Sequence, residues 1–182
     1  MVKRTAILGL LACVCAATVP AQASRPESVS VKDVANEVLT YTRFTVFDDV
    51  SIGVDGGVVT LTGKVTQPYK ASDIERRVAR LAGVRQVRNE IQVLPLSPFD
   101  DSLRFQLARV IYGNPAFWRY AAMANPPIHI LVEDGRVTLT GVVNSTVERM
   151  LAYSLASSSA AFSVRNELKT DAEMKALPEK TD

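Results

Sequence analysis

The feature that most constrains this chain is a short stretch that occurs twice. Residues 58–65 read Val-Val-Thr-Leu-Thr-Gly-Lys-Val, and residues 136–143 read Arg-Val-Thr-Leu-Thr-Gly-Val-Val. Each copy alternates apolar and polar side chains, which is the pattern of a β-strand with one buried face. A second stretch, residues 87–91, returns in similar form at residues 164–168. The chain is therefore a duplicated small domain.

Each repeat carries the signals of three strands and two helices. Gly and acidic residues at 55–57 and 133–135 precede the two copies, and another apolar run precedes each turn, so each repeat contains a β-hairpin. Apolar residues at helical spacing stand before each hairpin and again after it. The first of these helices is expected to be capped by Asp33 in the first repeat and by the run Asp100-Asp101-Ser102 in the second. We predict an α+β protein (an α/β sandwich) of two tandem αββαβ units, each a three-stranded sheet covered by two helices that pack on one face. Units this small, without disulfides, are expected to pack against each other.

The proposed division of the chain follows from composition. Two closely spaced prolines, Pro95 and Pro98, form a stiff link between the repeats. We therefore assign residues 28–96 to the first unit and residues 97–170 to the second. Residues 171–182 are charged and contain a proline, so we expect a disordered tail.

The first 23 residues have the pattern of a secretory signal. A short basic start and an apolar run lead to Ala21-Gln22-Ala23, so we expect cleavage after Ala23 and a periplasmic protein. As an alternative, residues 10–13 resemble a lipoprotein signal, which would anchor the protein to the outer membrane through Cys13. Both cysteines of the chain, Cys13 and Cys15, lie in this segment. A mature chain without them has no disulfide, thiol nucleophile or cysteine metal site.

The charge of the mature chain argues against one class of partner. Removing the signal removes Lys3 and Arg4 and no acidic residue, so the 21 basic residues fall to 19, equal to the 19 acidic ones. Nucleic acid is therefore disfavoured as a partner, because its recognition requires a basic excess.

Few residues suggest chemistry. His129 is the only histidine and lies between two isoleucines, without nearby partners for a metal site or for acid–base work, so we expect a structural role. We predict no catalytic residue, no metal and no cofactor, and a hydrolase or metalloenzyme is the least favoured class. Structural roles are instead assigned to a set of glycines and asparagines of the repeated stretches: Gly57, Gly63, Asn89, Gly135, Gly141 and Asn166.

Two of these roles are specific enough to be tested by the structure. We expect Gly63 and Gly141 where a helix packs closely on the strand or where the strand bends. Asn89 and Asn166 are expected to tie the last strand of each unit to a turn by side-chain hydrogen bonds.

An aromatic insertion before the second hairpin allows two interpretations. Its notable residues are Phe117, Trp118, Arg119, Tyr120 and Met123. They can complete the core of the second unit or its interface with the first. Alternatively they form a wedge that contacts lipid or a partner protein, because Trp and Tyr suit the boundary between apolar and aqueous surroundings, with Arg119 meeting a phosphate.

The repeated pattern resembles the BON domain, a small module of bacterial envelope proteins. The residues that carry the resemblance in the first unit are Gly57, Val59, Leu61, Gly63 and Val65, followed by Val87, Asn89 and Ile91. In the second unit they are Gly135, Val137, Leu139, Gly141 and Val143, followed by Val164, Asn166 and Leu168. The aromatic insertion and the serine-rich end of the second unit's later helix depart from this pattern.

The resemblance implies a function as well as a fold. Similar proteins are periplasmic or associated with the outer membrane, serve envelope integrity or osmotic stress, and are thought to bind phospholipid or to attach proteins to membranes. The expectation is a non-enzymatic periplasmic envelope protein whose tandem domains contact a phospholipid membrane surface or envelope proteins. The alternative is a protein-binding adaptor without lipid contact.

The signal predicts a defined mature terminus. Mass spectrometry of the protein isolated from the periplasmic fraction should give a chain that begins at Ser24, because Ala21 and Ala23 form the cleavage signature. A diacylglycerol-modified Cys13 in the membrane fraction would contradict this and would establish the lipoprotein alternative.

Overall fold

The structure, a computed structural model, describes residues 28–176 and confirms the α+β organisation in two units. The predicted signal and residues 177–182 lie outside the described residues. The first unit consists of α1 (Val31–Leu39), β1 (Asp49–Asp55), β2 (Val58–Val65), α2 (Pro68–Val78) and β3 (Gln86–Val93). The second consists of α3 (Pro98–Tyr112), a short 3-10 helix (Pro115–Phe117), α4 (Trp118–Ala121), β4 (Ile128–Glu133), β5 (Arg136–Val143), α5 (Thr146–Ser157), β6 (Ser163–Asn166), β7 (Lys169–Thr170) and α6 (Asp171–Ala176).

The same topology occurs in both units. β1 and β2 form the antiparallel hairpin, and β3 pairs with β2 in parallel after the crossover through α2, which gives the order β1-β2-β3. The second unit repeats this order as β4-β5-β6. The two-residue β7 also pairs with β5, so this sheet has four strands where three were predicted.

Each unit has its own hydrophobic core between the sheet and its helices. In the first unit Leu61 of β2 and Ile74 of α2 are fully buried. In the second, Leu139 of β5 takes the place of Leu61, and Phe117 of the insertion joins the core. The apolar side chains that alternate along β2 and β5 therefore face the helices, as the sequence indicates.

The units contact each other through the loop that precedes β1. The carbonyl of Val46 accepts a hydrogen bond from the Ile130 N–H of β4 (2.7 Å). Phe44 lies 5.7 Å from the His129 ring, measured between centroids, and Phe47 meets Phe105 edge-on at 5.4 Å. These contacts place the turn at Val46 and Phe47 of the first unit against the outer strand of the second.

Both helix starts differ from the predicted capping. Ser30 caps α1, and Asp33, the expected cap, lies one turn later and completes the capping box with Ser30. Ser97 caps α3. Asp100 is fully buried and instead accepts the N–H groups of Asp134 (2.9 Å) and Gly135 (2.8 Å) in the β4–β5 turn. It thus ties α3 to the hairpin.

The end of the chain also differs from expectation. Asp171–Ala176, predicted to belong to a disordered tail, form the helix α6. Glu173 accepts from the Thr170 N–H (2.8 Å) and pairs with Arg149 of α5, which fastens α6 to the second unit, and these partners lower the pKa of Glu173.

The glycines of the repeated strands mark a close approach of two backbones. Gly63 and Gly141 have φ angles of 121° and 109°, which L-residues with a side chain rarely adopt. A Cβ at Gly63 would overlap the carbonyl oxygen of Asp49, and one at Gly141 would overlap that of Pro127. The approaching atoms belong to the paired segment of the hairpin and not to a helix, so the glycines mark a bend at which the two backbones come close together.

We expect Gly63→Ala to lower the free energy of unfolding by roughly 2 kcal/mol or more, since it combines backbone strain with steric overlap. Gly53→Ala on β1 is the matched control, because a Cβ there meets its nearest atom, Cβ of Thr60, at an ordinary 3.9 Å. Urea unfolding of both variants measures the difference, and equal stability of the two would show that the bend does not require glycine.

Candidate functional site

The structure divides the aromatic insertion between core and surface. Phe117 is fully buried and Tyr120 is 3% exposed, and both belong to the core of the second unit. Trp118 is 63% exposed and Met123 is 48% exposed. Each of the two interpretations therefore describes half of the insertion, because the 3-10 helix and α4 turn neighbouring side chains to opposite sides.

The polar groups of the insertion bond to the start of α5. The Tyr120 hydroxyl donates to Glu148 (2.7 Å) and accepts from the Asn144 N–H (3.0 Å). Burial and the Glu148 carboxylate raise the pKa of Tyr120, so this phenol stays protonated. Arg119 forms an ion pair with the same Glu148 and lies over the Tyr120 ring at 4.8 Å. Arg119 is thus engaged within the protein, which weakens its predicted role as a phosphate contact.

The outer face of α5 is apolar and exposed. Val147 is 76% exposed, Met150 is 55% exposed, and Tyr153 is also exposed. Serines at positions 154 and 157 complete this side, so it carries no charged residue. At the same distance from the helix start, α2 of the first unit carries Glu75 and Arg76 where α5 has Tyr153 and Ser154. A helix face without charge that is not covered by other parts of a domain is a candidate contact surface.

An ion pair links the start of α5 to the insertion that carries the exposed Trp118 and Met123. Trp118 and Val147 are the sequence neighbours of the ion-paired Arg119 and Glu148, so α4 and the start of α5 meet at this point. We name the combined set the apolar surface of the second unit. Its members are Trp118, Met123, Val147, Met150 and Tyr153. The sequence signal for its α5 part was the absence of charge at positions 153 and 154, where α2 has Glu75 and Arg76.

A buried ion pair occupies the corresponding corner of the first unit and was missed from the sequence. Asp48 is fully buried and accepts from Lys70 Nζ (2.6 Å) and from the Thr66 N–H (2.8 Å). Thr45 donates to the same carboxylate through its N–H (2.8 Å). The available signal was Lys70 itself, which stands four residues before Ile74 on the buried side of α2. The network fixes the loop before β1 and has a structural role.

Asn89 and Asn166 join the last strand of each unit to a helix, where a turn was predicted. The amide of Asn89 donates to the Ala71 carbonyl in α2 (3.1 Å), and that of Asn166 to the Arg149 carbonyl in α5 (3.0 Å). Each side-chain oxygen accepts from an N–H two residues further along, at Ile91 and Leu168. Their side chains are therefore used inside the fold.

A cleft of about 450 Å³ lies between the units, against the sheet face that no helix covers. Its basic residues Lys64, Arg136 and Arg165 alternate with acidic ones such as Glu133 and Glu167. Lys64 and Glu133 pair with each other, as do Arg165 and Glu167. The cleft therefore does not select a ligand of either charge.

His129 does not form part of a polar site. It is partly buried beneath Phe44, and its Nδ1 has no hydrogen-bond partner within the described residues. Between residues 28 and 176 there is no group of three or more His, Cys, Asp or Glu side chains placed to bind a metal ion. In the same range none of the helices has the length and apolar character needed to cross a membrane.

Comparison with known proteins establishes the family. The sequence model of the BON domain matches residues 30–95 and 119–172, one segment in each unit. The chain belongs to the BON domain family. Proteins of this family are typically periplasmic or envelope proteins and are generally non-enzymatic. No curated protein matches the chain.

Two solved structures are distantly similar. One is described as CdsD, a structural protein of the type III secretion system of Chlamydia trachomatis, with 14% identity, a TM-score of 0.27, and coverage of 82% of this chain and 99% of that chain. The other, the C-terminal domain of CdsD, has 14% identity, a TM-score of 0.26, and coverage of 77% and 98%.

The division of the insertion predicts opposite effects for neighbouring residues. Phe117→Ala should lower the free energy of unfolding by about 3–5 kcal/mol, because it leaves a cavity in the core. Trp118→Ala should change it by no more than about 0.5 kcal/mol, because the side chain is mostly exposed. Thermal unfolding of the two variants tests this, and a large loss for Trp118→Ala would place the indole in a structural contact.

Proposed function

We propose that this protein is a non-enzymatic periplasmic protein that contacts the phospholipid membrane through the apolar surface of its second unit. Its role would lie in envelope integrity or osmotic stress. The observation that carries the proposal is the exposure of large apolar side chains on α4 and α5, at Trp118, Val147 and Met150. Membership of the BON domain family supports the envelope setting.

Apolar transfer supplies enough free energy for reversible attachment. Moving a large apolar side chain from water into an apolar environment is worth roughly 1.5–3 kcal/mol. Several such side chains together offset the loss of freedom on binding, which is itself several kcal/mol. Trp118 suits the interfacial level of a bilayer, because its indole has an apolar body and one polar N–H.

Electrostatic attraction contributes little to this contact. The most prominent basic residue at the surface, Arg119, is paired with Glu148. The mature chain also has equal numbers of basic and acidic residues. Binding should therefore persist on zwitterionic vesicles and depend weakly on salt, because screening acts on charges and not on apolar burial.

Vesicle sedimentation tests the proposal. A Trp118→Ser/Met150→Ser variant should remain folded and bind vesicles of zwitterionic phospholipid at least about tenfold more weakly, because two apolar anchors are lost. Leu96→Ser is the matched control, since Leu96 is 86% exposed in the link between the units and lies outside the apolar surface. Unchanged binding of a folded double variant would contradict the proposal and favour the protein-binding adaptor, whose surface would be covered by another protein.

A further inference from the structure

The outer strands of the two hairpins, β1 and β4, have the same geometry. Ile52 pairs with Leu61 in the first unit, and Ile130 pairs with Leu139 in the second, in the same register. In such an antiparallel hairpin every second residue directs its N–H and C=O away from the partner strand. The outward N–H of Ile130 shows that these are Ile128, Ile130 and Val132 in β4 and, by register, Val50, Ile52 and Val54 in β1.

The edge of β4 is covered by the protein itself. The Tyr112 hydroxyl donates to the Ile128 carbonyl, and Arg104 donates to the Val132 carbonyl (2.6 Å). Between them, the Val46 carbonyl accepts from the Ile130 N–H. The three apolar side chains of this edge, at positions 128, 130 and 132, are fully buried. A backbone carbonyl from another part of the chain is thus already bonded to this type of edge once in the molecule.

The equivalent edge of β1 is open. Within residues 28–176 no hydrogen bond reaches the outward groups of Val50, Ile52 and Val54, and these side chains are only partly buried. Two differences between the first helices account for this. Tyr112 is the last of the 15 residues of α3 and lies beyond the length of α1, which has 9 residues. Arg104 is the seventh residue of α3, and the seventh residue of α1 is Glu37, which has no hydrogen-bond donor in its carboxylate. An unpaired strand edge with apolar side chains is a template for a further strand.

The charges of β1 indicate what kind of strand fits. Asp49 and Asp55 stand at its two ends, and neither carboxylate has a hydrogen bond or an ion pair within the described part of the chain. Between them Ser51 and Gly53 leave a small exposed face. A second copy of β1 is a poor partner. In the antiparallel register that aligns Ile52 with its copy, Asp49 would face Asp55, and like charges opposite each other are destabilising.

We propose that β1 binds an extended peptide segment of another protein, which adds to the sheet as an antiparallel strand. The segment would place alternate apolar side chains beside Val50, Ile52 and Val54, and Lys or Arg opposite Asp49 and Asp55. Backbone hydrogen bonds provide the attachment, and the two acidic ends provide selectivity. The other edge of this sheet, β3, is protected because it carries charged side chains such as Arg88 and Glu90.

The first test uses a synthetic peptide and the ¹⁵N-labelled protein. The peptide is as long as β1, alternates valine and threonine, and has lysine at both ends. It should shift the amide signals of Val50, Ile52 and Val54 and slow their hydrogen exchange, whereas Ile128 and Ile130 of the covered edge should not respond. Equal responses at both edges, or none at β1, would overturn the proposal. Concentration-dependent shifts at β1 without peptide would also overturn it, in favour of a second copy.

The second test reverses the charges. Asp49→Lys/Asp55→Lys should bind the lysine-ended peptide about tenfold more weakly and should instead bind a peptide with glutamate at both ends. Asp55→Lys alone, next to the exposed turn, gives the same direction of change if the double variant is unstable. Unchanged preference in folded variants would contradict the assigned role of the two carboxylates.

Discussion

The central strand of each unit forms backbone hydrogen bonds with a strand on each side, and its apolar side chains pack against the helices. Val59, Leu61 and Val65 of β2 are all fully buried, and the equivalent positions of β5 are buried in the same way. Because the hairpin and the parallel crossover both pair with this strand, its alternation sets which face of the sheet is covered. The bend at Gly63 belongs to the same constraint, since there the carbonyl of Asp49 occupies the space a side chain would need.

Duplication on this framework has produced two units with different surfaces. In the second unit the longer first helix covers the edge of β4 through Arg104 and Tyr112, and the aromatic insertion enlarges the core through Phe117. An additional helix, α6, follows its last strand. The first unit keeps a short helix and a buried Asp48–Lys70 pair. A loop conformation that separated Asp48 from Lys70 would leave an unpaired buried charge, which is strongly destabilising. The pair therefore favours a single conformation of the loop before β1.

The two proposed contacts lie on different units and depend on different interactions. The apolar surface around Trp118 depends on transfer of side chains out of water and needs no particular sequence in its partner. The open edge of β1 depends on backbone hydrogen bonds and on the charges of Asp49 and Asp55, so it distinguishes between peptides. Since they share no residue, one does not exclude the other.

The sequence by itself determined the repeat, the order of the two helices and three strands common to both units, and the family, because these follow from local periodicity and from glycines at fixed spacing. It did not show β7 or α6. It did not determine where Asp100 or Asn89 would bond. Their partners come from distant segments, so each was assigned to the nearest cap or turn. The sequence also could not show that Phe117 is buried and Trp118 exposed, because the directions of these side chains depend on how the insertion packs on the rest of the second unit. The free edge of β1 was likewise decided by tertiary structure, since side chains of α3 and the Val46 carbonyl reach the edge of β4, whereas no such group bonds to the outward groups of β1 within the described residues.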